Sequence, residues 1–418
     1  MPTTNDSKTT AAAPRRAIPP VPVLSLASFS GSAASASPAL PSLLDVGEAR
    51  MVTSGRIAIG LALRAMGVGA GDTVLVPAYH SPSMIPPVHW LGAQVVFYRI
   101  NPDTTADLAD IAAKLGPSVK AVMATHFFGI PQDLRPLRAL CDSHGLALLE
   151  DCAHCFFGRF EETPVGTSGD YAIGSSMKFF PIYEGGCLVS ARHALGAVDL
   201  RSAGAGFEAK AALAALETSF DYGRLPALRV LLSLPLRLKS ALWGALKARR
   251  NAGAAAAAGA AGSALAPDSS DSSFNFDPHW TDKRSSLFSR LTLRAVSHAR
   301  IVALRRDHYL ALQAAFGNLP GCRPLFTTLP DGACPWVFPL LVDQPEAVFE
   351  RLHAAGVPMV RFGAVLWPGV DASVCANSAA LGRQLIAFPC HQELRAAESS
   401  WLIAAVRDAL AAGAKAAA

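Results

Sequence analysis

Lys178 is the residue whose setting most suggests nucleophilic chemistry. It lies in the stretch SSMKFFP, residues 175–181, an unusually apolar environment for an ammonium group. Such an environment favours the neutral amine, which is the form that attacks carbonyl groups and makes Schiff bases. Taken alone, Lys178 is better explained as an ordinary surface lysine beside a loop, so other residues must support the nucleophile.

Asp151 ends a predicted buried strand, where a carboxylate is costly unless it has a cationic or hydrogen-bonding partner. One such partner is the pyridinium nitrogen of pyridoxal phosphate, a cofactor that needs a lysine at one end and an acid at its ring nitrogen. A capping aspartate is the structural alternative. His154 could stack on the cofactor ring or touch its phenolic oxygen, or it could be a satisfied core histidine. His126 ends another strand and could be a sheet-edge histidine.

An anion site is predicted where Ser54-Gly55-Arg56 precedes an apolar helix. Free backbone N–H groups and the helix dipole would face an anion there, and the alternative is a plain serine N-cap. Ser175 and Ser176 could give hydroxyls to the same phosphate.

The eight cysteines include one C-x-x-C pair, Cys152 and Cys155. This spacing occurs in redox and metal sites, but no second pair completes a zinc site, and we predict no metal. A thiol oxidoreductase stays as an alternative, and packing of the thiols behind a functional strand end is preferred.

Composition narrows the class of protein. The 418 residues are 51% hydrophobic, with a net charge of +5, and allow two or three domains. The charge is too dilute for nucleic-acid binding, and no run of about 18 uncharged apolar residues suggests a membrane span. The N-terminus lacks a secretory pattern, so we expect a cytoplasmic protein with free thiols.

Short β-branched runs alternate with helical patterns and predict a parallel sheet covered by helices on both faces. The predicted strands are Thr73–Ala78, Gln94–Ile100, Ala121–His126, Leu146–Glu150 and Cys187–Ser190. The predicted helices between them are Arg56–Met66, Asp107–Lys114 and Leu134–His144. Ligands of such sheets bind beyond the carboxyl ends of the strands.

Composition also predicts the domain limits. Residues 1–46 are rich in Ala, Pro and Ser and suggest a disordered tail, and residues 251–273 suggest a flexible Ala/Gly/Ser insertion. Residues 47–290 would form a large cofactor-binding domain and residues 291–418 a smaller C-terminal α+β domain. A long, arginine-rich helix Leu287–Leu312, the patterned segments Trp336–Val342 and Ala347–Ala355, and a final helix Ser399–Ala412 are expected in this second part.

The order of these motifs resembles the DegT/DnrJ/EryC1/StrS family of sugar aminotransferases. The resemblance runs from about residue 47 to 412 and rests on SGRIAIGLALRAMGVGAGDTVLVPAY, THFFGIP, ALLEDCAHCFFG, SGDYAIGSSMKFFPIYEGG and LIAFPCHQEL. It implies the fold-type I architecture of pyridoxal phosphate enzymes: a large domain with a mostly parallel seven-stranded sheet flanked by helices, and a smaller C-terminal domain.

The resemblance also implies roles for residues. Lys178 looks like the lysine that holds the cofactor, Asp151 like the partner of its ring nitrogen, and His154 like the residue beside its phenolic oxygen. Gly55, Arg56 and one serine before the lysine would hold the phosphate.

The sequence departs from the family pattern in three places. The interval from Asp170 to Lys178 is about two residues short, so Ser175 and Ser176 both remain candidate phosphate ligands. The aromatic residue expected over the ring falls at Ser81, which leaves Tyr79 or His80 as substitutes. The family's Asn-x-Arg, which reaches the phosphate across a dimer, appears as Asp282-Lys283-Arg284, and only Arg284 is carried over because an aspartate would repel a phosphate.

We therefore expect a homodimeric aminotransferase that moves an amino group, with glutamate as the expected donor, to a keto group of a nucleotide-activated sugar for glycan synthesis. Sugar dehydratases of the same scaffold replace the lysine with histidine, and here the lysine is retained. The alternative from another class is a degenerate cofactor fold that serves as a regulator or scaffold.

Overall fold

The computed structural model describes residues 17–31, 39–232 and 276–417. The predicted insertion at residues 251–273 lies outside these described residues. In chain order the strands are β1 (Glu48–Val52), β2 (Thr73–Pro77), β3 (Gln94–Tyr98), β4 (Val119–Thr125), β5 (Ala147–Asp151), β6 (Arg159–Phe160), β7 (Thr163–Pro164), β8 (Tyr171–Gly174), β9 (Gly186–Ser190), β10 (Cys322–Pro324), β11 (Val337–Val342) and β12 (Leu385–Pro389).

The helices flank two sheets. They are α1 (Gly55–Ala65), α2 (Pro86–Trp90), α3 (Leu108–Ala113), α4 (Arg135–Ser143), α5 (Ala205–Asp221), α6 (Pro226–Leu231), α7 (Leu287–Ala295), α8 (His298–Phe316), α9 (Pro345–Ala354), α10 (Ala376–Gln384) and α11 (Ala396–Ala417). None of these described helices is both long enough and apolar enough to cross a membrane.

The larger sheet has seven strands in the order β1-β9-β8-β5-β4-β2-β3. The strands β3, β2, β4, β5 and β8 pair in parallel, and β9 runs antiparallel to both β8 and β1. The mostly parallel sheet that the sequence predicted is therefore confirmed. All five predicted strands form, with ends that differ by one or two residues, and β9 alone among them runs antiparallel.

Alternation along the strands explains why both faces of this sheet are covered. Leu75 points into one apolar cluster, with α4 and the smaller sheet, while Val74 and Val76 point into another, with α1. Successive strand residues face opposite sides, so a strand that is apolar at every position must be covered twice.

The smaller sheet, β10-β11-β12, is antiparallel and packs against α8. Tyr309 and Phe316 of α8 contact Phe338 of β11 at centroid distances of 4.9 and 6.0 Å. The single helix predicted for Leu287–Leu312 is wrong, because Val296 is extended and the Ser297 side chain accepts a hydrogen bond from the Arg300 N–H to begin a new helix.

The N-terminal segment differs from the disordered tail that composition predicted. Ile18 is 2% exposed and lies in the core of the smaller sheet. The Ser25 and Ser28 hydroxyls donate to Glu393 at 2.7 and 3.1 Å. Leu43 is fully buried. Residues 17–31 and 39–46 are therefore packed against the rest of the chain, because a few long-range contacts compensate for their low apolar content. The limits of the two domains remain predictions.

At Gly129 the segment that follows β4 lies close against the segment that precedes β11. Its φ is +91°, and an added Cβ would lie 2.2 Å from the Cys334 carbonyl oxygen. Next to it, the Trp336 N–H donates to the Phe128 carbonyl at 2.9 Å. Only a residue without a side chain fits here.

We expect Gly129→Ala to lower the free energy of unfolding by about 3 kcal/mol, since it combines left-handed backbone strain with a backbone clash. Gly145→Ala is the matched control, because φ is +65° there but an added Cβ meets nothing within 4 Å. It should cost only about 1 kcal/mol. Urea denaturation of both variants measures the difference, and equal losses would contradict the proposed clash.

Candidate active site

Asp151 is the last residue of β5, and its carboxylate is 2% exposed. It accepts hydrogen bonds from the Ala153 N–H at 2.9 Å and the Thr125 hydroxyl at 3.2 Å. Burial raises the pKa of Asp151, while the Ala153 N–H and the Lys178 ammonium oppose that rise. A buried carboxylate at this strand end is suited to stabilise a positive charge placed beside it, such as a protonated ring nitrogen.

Lys178 ends a short 3-10 turn that begins at Ser176. It keeps some contact with solvent, but its Nζ lies 4.5 Å from the centroid of the Trp336 ring. Burial lowers the pKa of Lys178 to about 8, against the opposing effect of Asp151 and with a further lowering by Arg56. The amine is thus about half neutral at pH 8, which is what a nucleophile toward carbonyls requires.

His154 lies inside a group of aromatic rings. Its ring centroid is 4.0 Å from that of Trp336 and 4.8 Å from that of Phe362. Its Nδ1 accepts a long hydrogen bond, 3.5 Å, from the Phe128 N–H. Burial lowers the pKa of His154, and the Lys178 ammonium adds to this effect. The imidazole is therefore neutral beside the lysine.

The predicted anion site lies at the N-terminus of α1. Ser54 caps the helix by accepting a hydrogen bond from the Ile57 N–H at 3.4 Å. A Cβ added to Gly55 would lie 3.6 Å from the Ser175 Cβ, so the two predicted phosphate-binding segments meet. The hydroxyls of Thr53 and Ser176 are fully buried and have no hydrogen-bond partner among the residues that the structure describes.

These two unpartnered hydroxyls are the test of whether a phosphate fits. A buried hydroxyl without a partner costs free energy, and an anion bound at the adjacent helix N-terminus would satisfy it. Together with Asp151 and Lys178, the residues present fit pyridoxal phosphate. Of the two candidate serines, Ser176 is the one whose hydroxyl is fully buried without a partner among the described residues.

The two substitutes for the missing aromatic are both engaged elsewhere. Tyr79 is fully buried, and its hydroxyl donates to the Phe362 carbonyl at 2.9 Å. The His80 ring stacks on Phe97 at 4.8 Å, and its Nε2 accepts from the Trp367 N–H at 3.0 Å. Burial lowers the pKa of His80 to about 4. His80 is therefore a packing histidine, while Tyr79 borders the same aromatic group as His154.

Asp282 and Arg284 lie apart from this group, beside β1. Arg284 forms an isolated bridge with Val52, and its side chain lines a shallow groove of about 700 Å³. The Asp282 carboxylate pairs with Lys283 at 2.6 Å and with Arg201 at 2.5 Å. The charge of Asp282 is therefore compensated within the chain. The expectation that this aspartate would repel a phosphate loses its physical basis.

The surroundings of Cys152, Cys155 and His126 favour a structural role for these residues. Burial raises the pKa of the Cys152 and Cys155 thiols, which disfavours the thiolate that redox chemistry needs. His126 Nε2 lies 2.9 Å from Glu150, whose carboxylate also accepts from the Ser168 and Gly169 N–H groups, each at 2.9 Å. This network satisfies its own polar atoms.

Sequence reasoning did not single out three residues that lie beside the candidate residues: Thr53, Trp336 and Arg305. Thr53 directly precedes the predicted anion motif and could have been found from that adjacency. Trp336 and Arg305 reach Lys178 from segments more than 120 residues away in the chain. No local pattern marks either of them.

Comparison with known proteins agrees with this geometry. Residues 38–210 match the DegT/DnrJ/EryC1/StrS aminotransferase family. The chain is 37% identical over 150 residues to the GDP-perosamine synthase of Vibrio cholerae, covering 35% of this chain and 41% of that protein. It is 36% identical over 129 residues to the UDP-N-acetyl-3-dehydro-alpha-D-glucosamine 3-aminotransferase of Acidithiobacillus ferrooxidans, covering 31% and 34%.

Solved structures extend the likeness to most of the chain. The aminotransferase TlmJ from Streptoalloteichus hindustanus superposes with a TM-score of 0.59 at 20% identity, covering 88% of each chain. Helicobacter pylori PseC, an aminotransferase involved in the biosynthesis of pseudoaminic acid, gives 0.59 at 16% identity, again with 88% of each chain covered. The fold is that of the fold-type I aminotransferases, as the sequence predicted.

The chain is therefore similar to the DegT/DnrJ/EryC1/StrS aminotransferase family over residues 38–210, which is less than half of its length. It matches about two fifths or less of the length of these curated relatives.

Replacing Asp151 should change the acidity of Lys178 in a defined direction. The Asp151 carboxylate opposes the lowering of the Lys178 pKa, so we expect Asp151→Asn to move that pKa below 8 by about one pH unit. Competitive acetylation of Lys178 across pH, with exposed Lys120 as the reference amine, measures it. Asp133→Asn, at a carboxylate paired with exposed Arg135, is the control and should have no effect.

Proposed function

We propose that this protein is a pyridoxal phosphate-dependent aminotransferase that moves an amino group from an amino acid to a keto group on a nucleotide-activated sugar. The observation that carries the proposal is the amine of Lys178, with a pKa of about 8, between a buried Asp151 and a neutral His154. Surface lysines do not have these neighbours.

The names of the relatives support the class of acceptor. GDP-perosamine synthase and the UDP-sugar 3-aminotransferase are both named for nucleotide-linked sugars. We propose glutamate as the donor and glycan synthesis as the purpose, both of which rest on the family resemblance alone.

Each residue of the site has a task that follows from its surroundings. When bound, the cofactor supplies an electron sink that stabilises negative charge at the substrate carbon. Asp151 would keep a proton at the ring nitrogen, because the negative charge of a nearby carboxylate favours the protonated ring. His154 would face the phenolic oxygen. Lys178 would hold the cofactor and then carry a proton as general acid and base, because its pKa lies near the working pH.

The phosphate would be held by the N-terminus of α1 and by hydroxyls. Gly55 and Arg56 begin the helix, and Thr53 and Ser176 offer the unpartnered hydroxyls. Helix N–H groups and hydroxyls bind phosphate without moving, so affinity comes from a site that is already assembled.

A homodimer in the cytoplasm is part of the proposal. The exposed side of α7 carries Leu287 and Leu291, which are 52% and 54% exposed, beside Arg284 and the groove it lines. Apolar side chains of this size on one helix face suit an interface with a second copy. The eight cysteines are all free thiols, which suits a reducing compartment.

The visible absorption spectrum of the purified protein, with and without added pyridoxal phosphate, tests the proposal. We expect a yellow band that borohydride bleaches, that shifts on adding glutamate, and that is absent from Lys178→Ala but present in Lys120→Ala. Lys178→Ala that transaminates at the wild-type rate would refute the assignment. A protein that takes up no cofactor would favour the regulator or scaffold instead.

The unpartnered hydroxyls give a second test. We expect Ser176→Ala and Thr53→Val each to weaken pyridoxal phosphate binding about tenfold, the effect of one hydrogen bond to a charged group. Ser378→Ala is the control, since its hydroxyl is also buried and unpartnered but lies on α10. Titration of the band at increasing cofactor concentration measures affinity, and equal affinities in all three variants would remove the hydroxyls from the site.

A further inference from the structure

Arg305 is a fully buried arginine of α8 that lies behind the site. Its Nη2 donates to the Lys178 carbonyl at 2.7 Å. Its Nη1 donates to the Pro335 and Trp336 carbonyls, each at 3.0 Å, and its Nε donates to the Gln392 side chain at 2.9 Å. The guanidinium also stacks over Phe179 at 4.5 Å.

The acceptors around this guanidinium are unusual for a buried cation. They are three backbone carbonyls and a neutral amide, whereas Arg300 on the same helix pairs with the carboxylate of Glu393 at 2.6 Å. Burial lowers the pKa of Arg305, so the site does not favour its charge. An apolar side chain would often be more stable in such a place, and the retained arginine therefore points to a need for its geometry.

Two of the carbonyls belong to residues that touch each other in the site. The Lys178 ammonium lies over the Trp336 ring at 4.5 Å, and the same ring lies 4.0 Å from His154. Lys178 comes from the large sheet and Trp336 precedes β11 of the smaller one. The planar guanidinium of Arg305 thus holds the backbone of both Lys178 and Trp336.

We infer that Arg305 is a positioning residue that holds the Lys178 amine against Trp336, and that Trp336 is a residue of the site. The chemical role of the Lys178 amine rests on the proposed function. The position of that amine beside Trp336 does not. Without the fork, the two segments are free to separate, and the ammonium moves from the indole into water. The Lys178 pKa then rises toward that of an ordinary lysine.

The test is the pKa of Lys178 in the full-length protein after any bound pyridoxal phosphate is removed by dialysis against cysteine. Acetic anhydride labels the neutral amine, and peptide mass spectrometry against Lys120 gives the labelling midpoint across pH. We expect Arg305→Met to raise the midpoint by at least one pH unit, which leaves about fivefold less neutral amine at pH 8.

Arg306→Met is the matched control. Arg306 follows Arg305 on the helix, is 7% exposed, and also donates to backbone carbonyls, those of Pro330 and Ala333, each at 2.7 Å. It touches neither Lys178 nor Trp336. A loss of stability is expected in both variants, and a raised Lys178 midpoint only in Arg305→Met. Equal midpoints would overturn the inference.

Arg305→Lys keeps the experiment decisive if Arg305→Met does not fold. An ammonium retains the charge but cannot span both carbonyls, so the midpoint should rise here as well. A wild-type midpoint in Arg305→Lys would show that charge alone suffices and would overturn the inference. Since the labelling measures the amine itself, a protein that never transaminates still gives an answer.

Discussion

Two adjacent carboxylates at the end of β5 must be removed from water, and much of the surrounding structure serves to compensate them. Successive strand residues face opposite sides, so Glu150 and Asp151 meet different partners. Glu150 accepts hydrogen bonds from His126 and from the loop at residues 166–169, and these interactions lower its pKa although it is buried. Asp151 has fewer donors, and its pKa is raised. One carboxylate therefore orders a loop, and the other is left able to take part in chemistry.

Helix α8 carries three buried cationic side chains, just as β5 carries two buried carboxylates. Arg300, Arg305 and Arg306 are each 9% exposed or less, and each is satisfied mainly by groups distant in sequence. Arg300 and the hydroxyls of Ser25 and Ser28 share Glu393, so the N-terminal segment is tied to the same helix. Buried charges of this kind fix one arrangement of segments because every alternative leaves a charge unpaired. The small sheet is thereby held in a defined place relative to Lys178.

The parts that sequence predicted are those determined by local pattern. Buried parallel strands are continuous apolar runs, so β2 to β5 were located within two residues, and Asp151, His154 and Lys178 were proposed from short local motifs. The antiparallel direction of β9, the break at Ser297 and the packing of residues 17–31 depend on contacts with distant segments. Arg305 is the clearest example, since it lies in an arginine-rich helix, and only the folded chain shows its partners 127 and 31 residues away.

The departures from the family pattern acquire a physical explanation in the folded chain. Asp282 looked incompatible with a phosphate, yet Lys283 and Arg201 neutralise it, so the segment that carries Arg284 has no excess negative charge. Ser81 lacks an aromatic ring, and His80 is occupied by Phe97 and Trp367. An indole nevertheless lies beside the amine, because Trp336 enters from the smaller sheet and contacts both Lys178 and His154. The aromatic surface next to the lysine is thus present, but a different segment supplies it, and that segment is the one that Arg305 anchors.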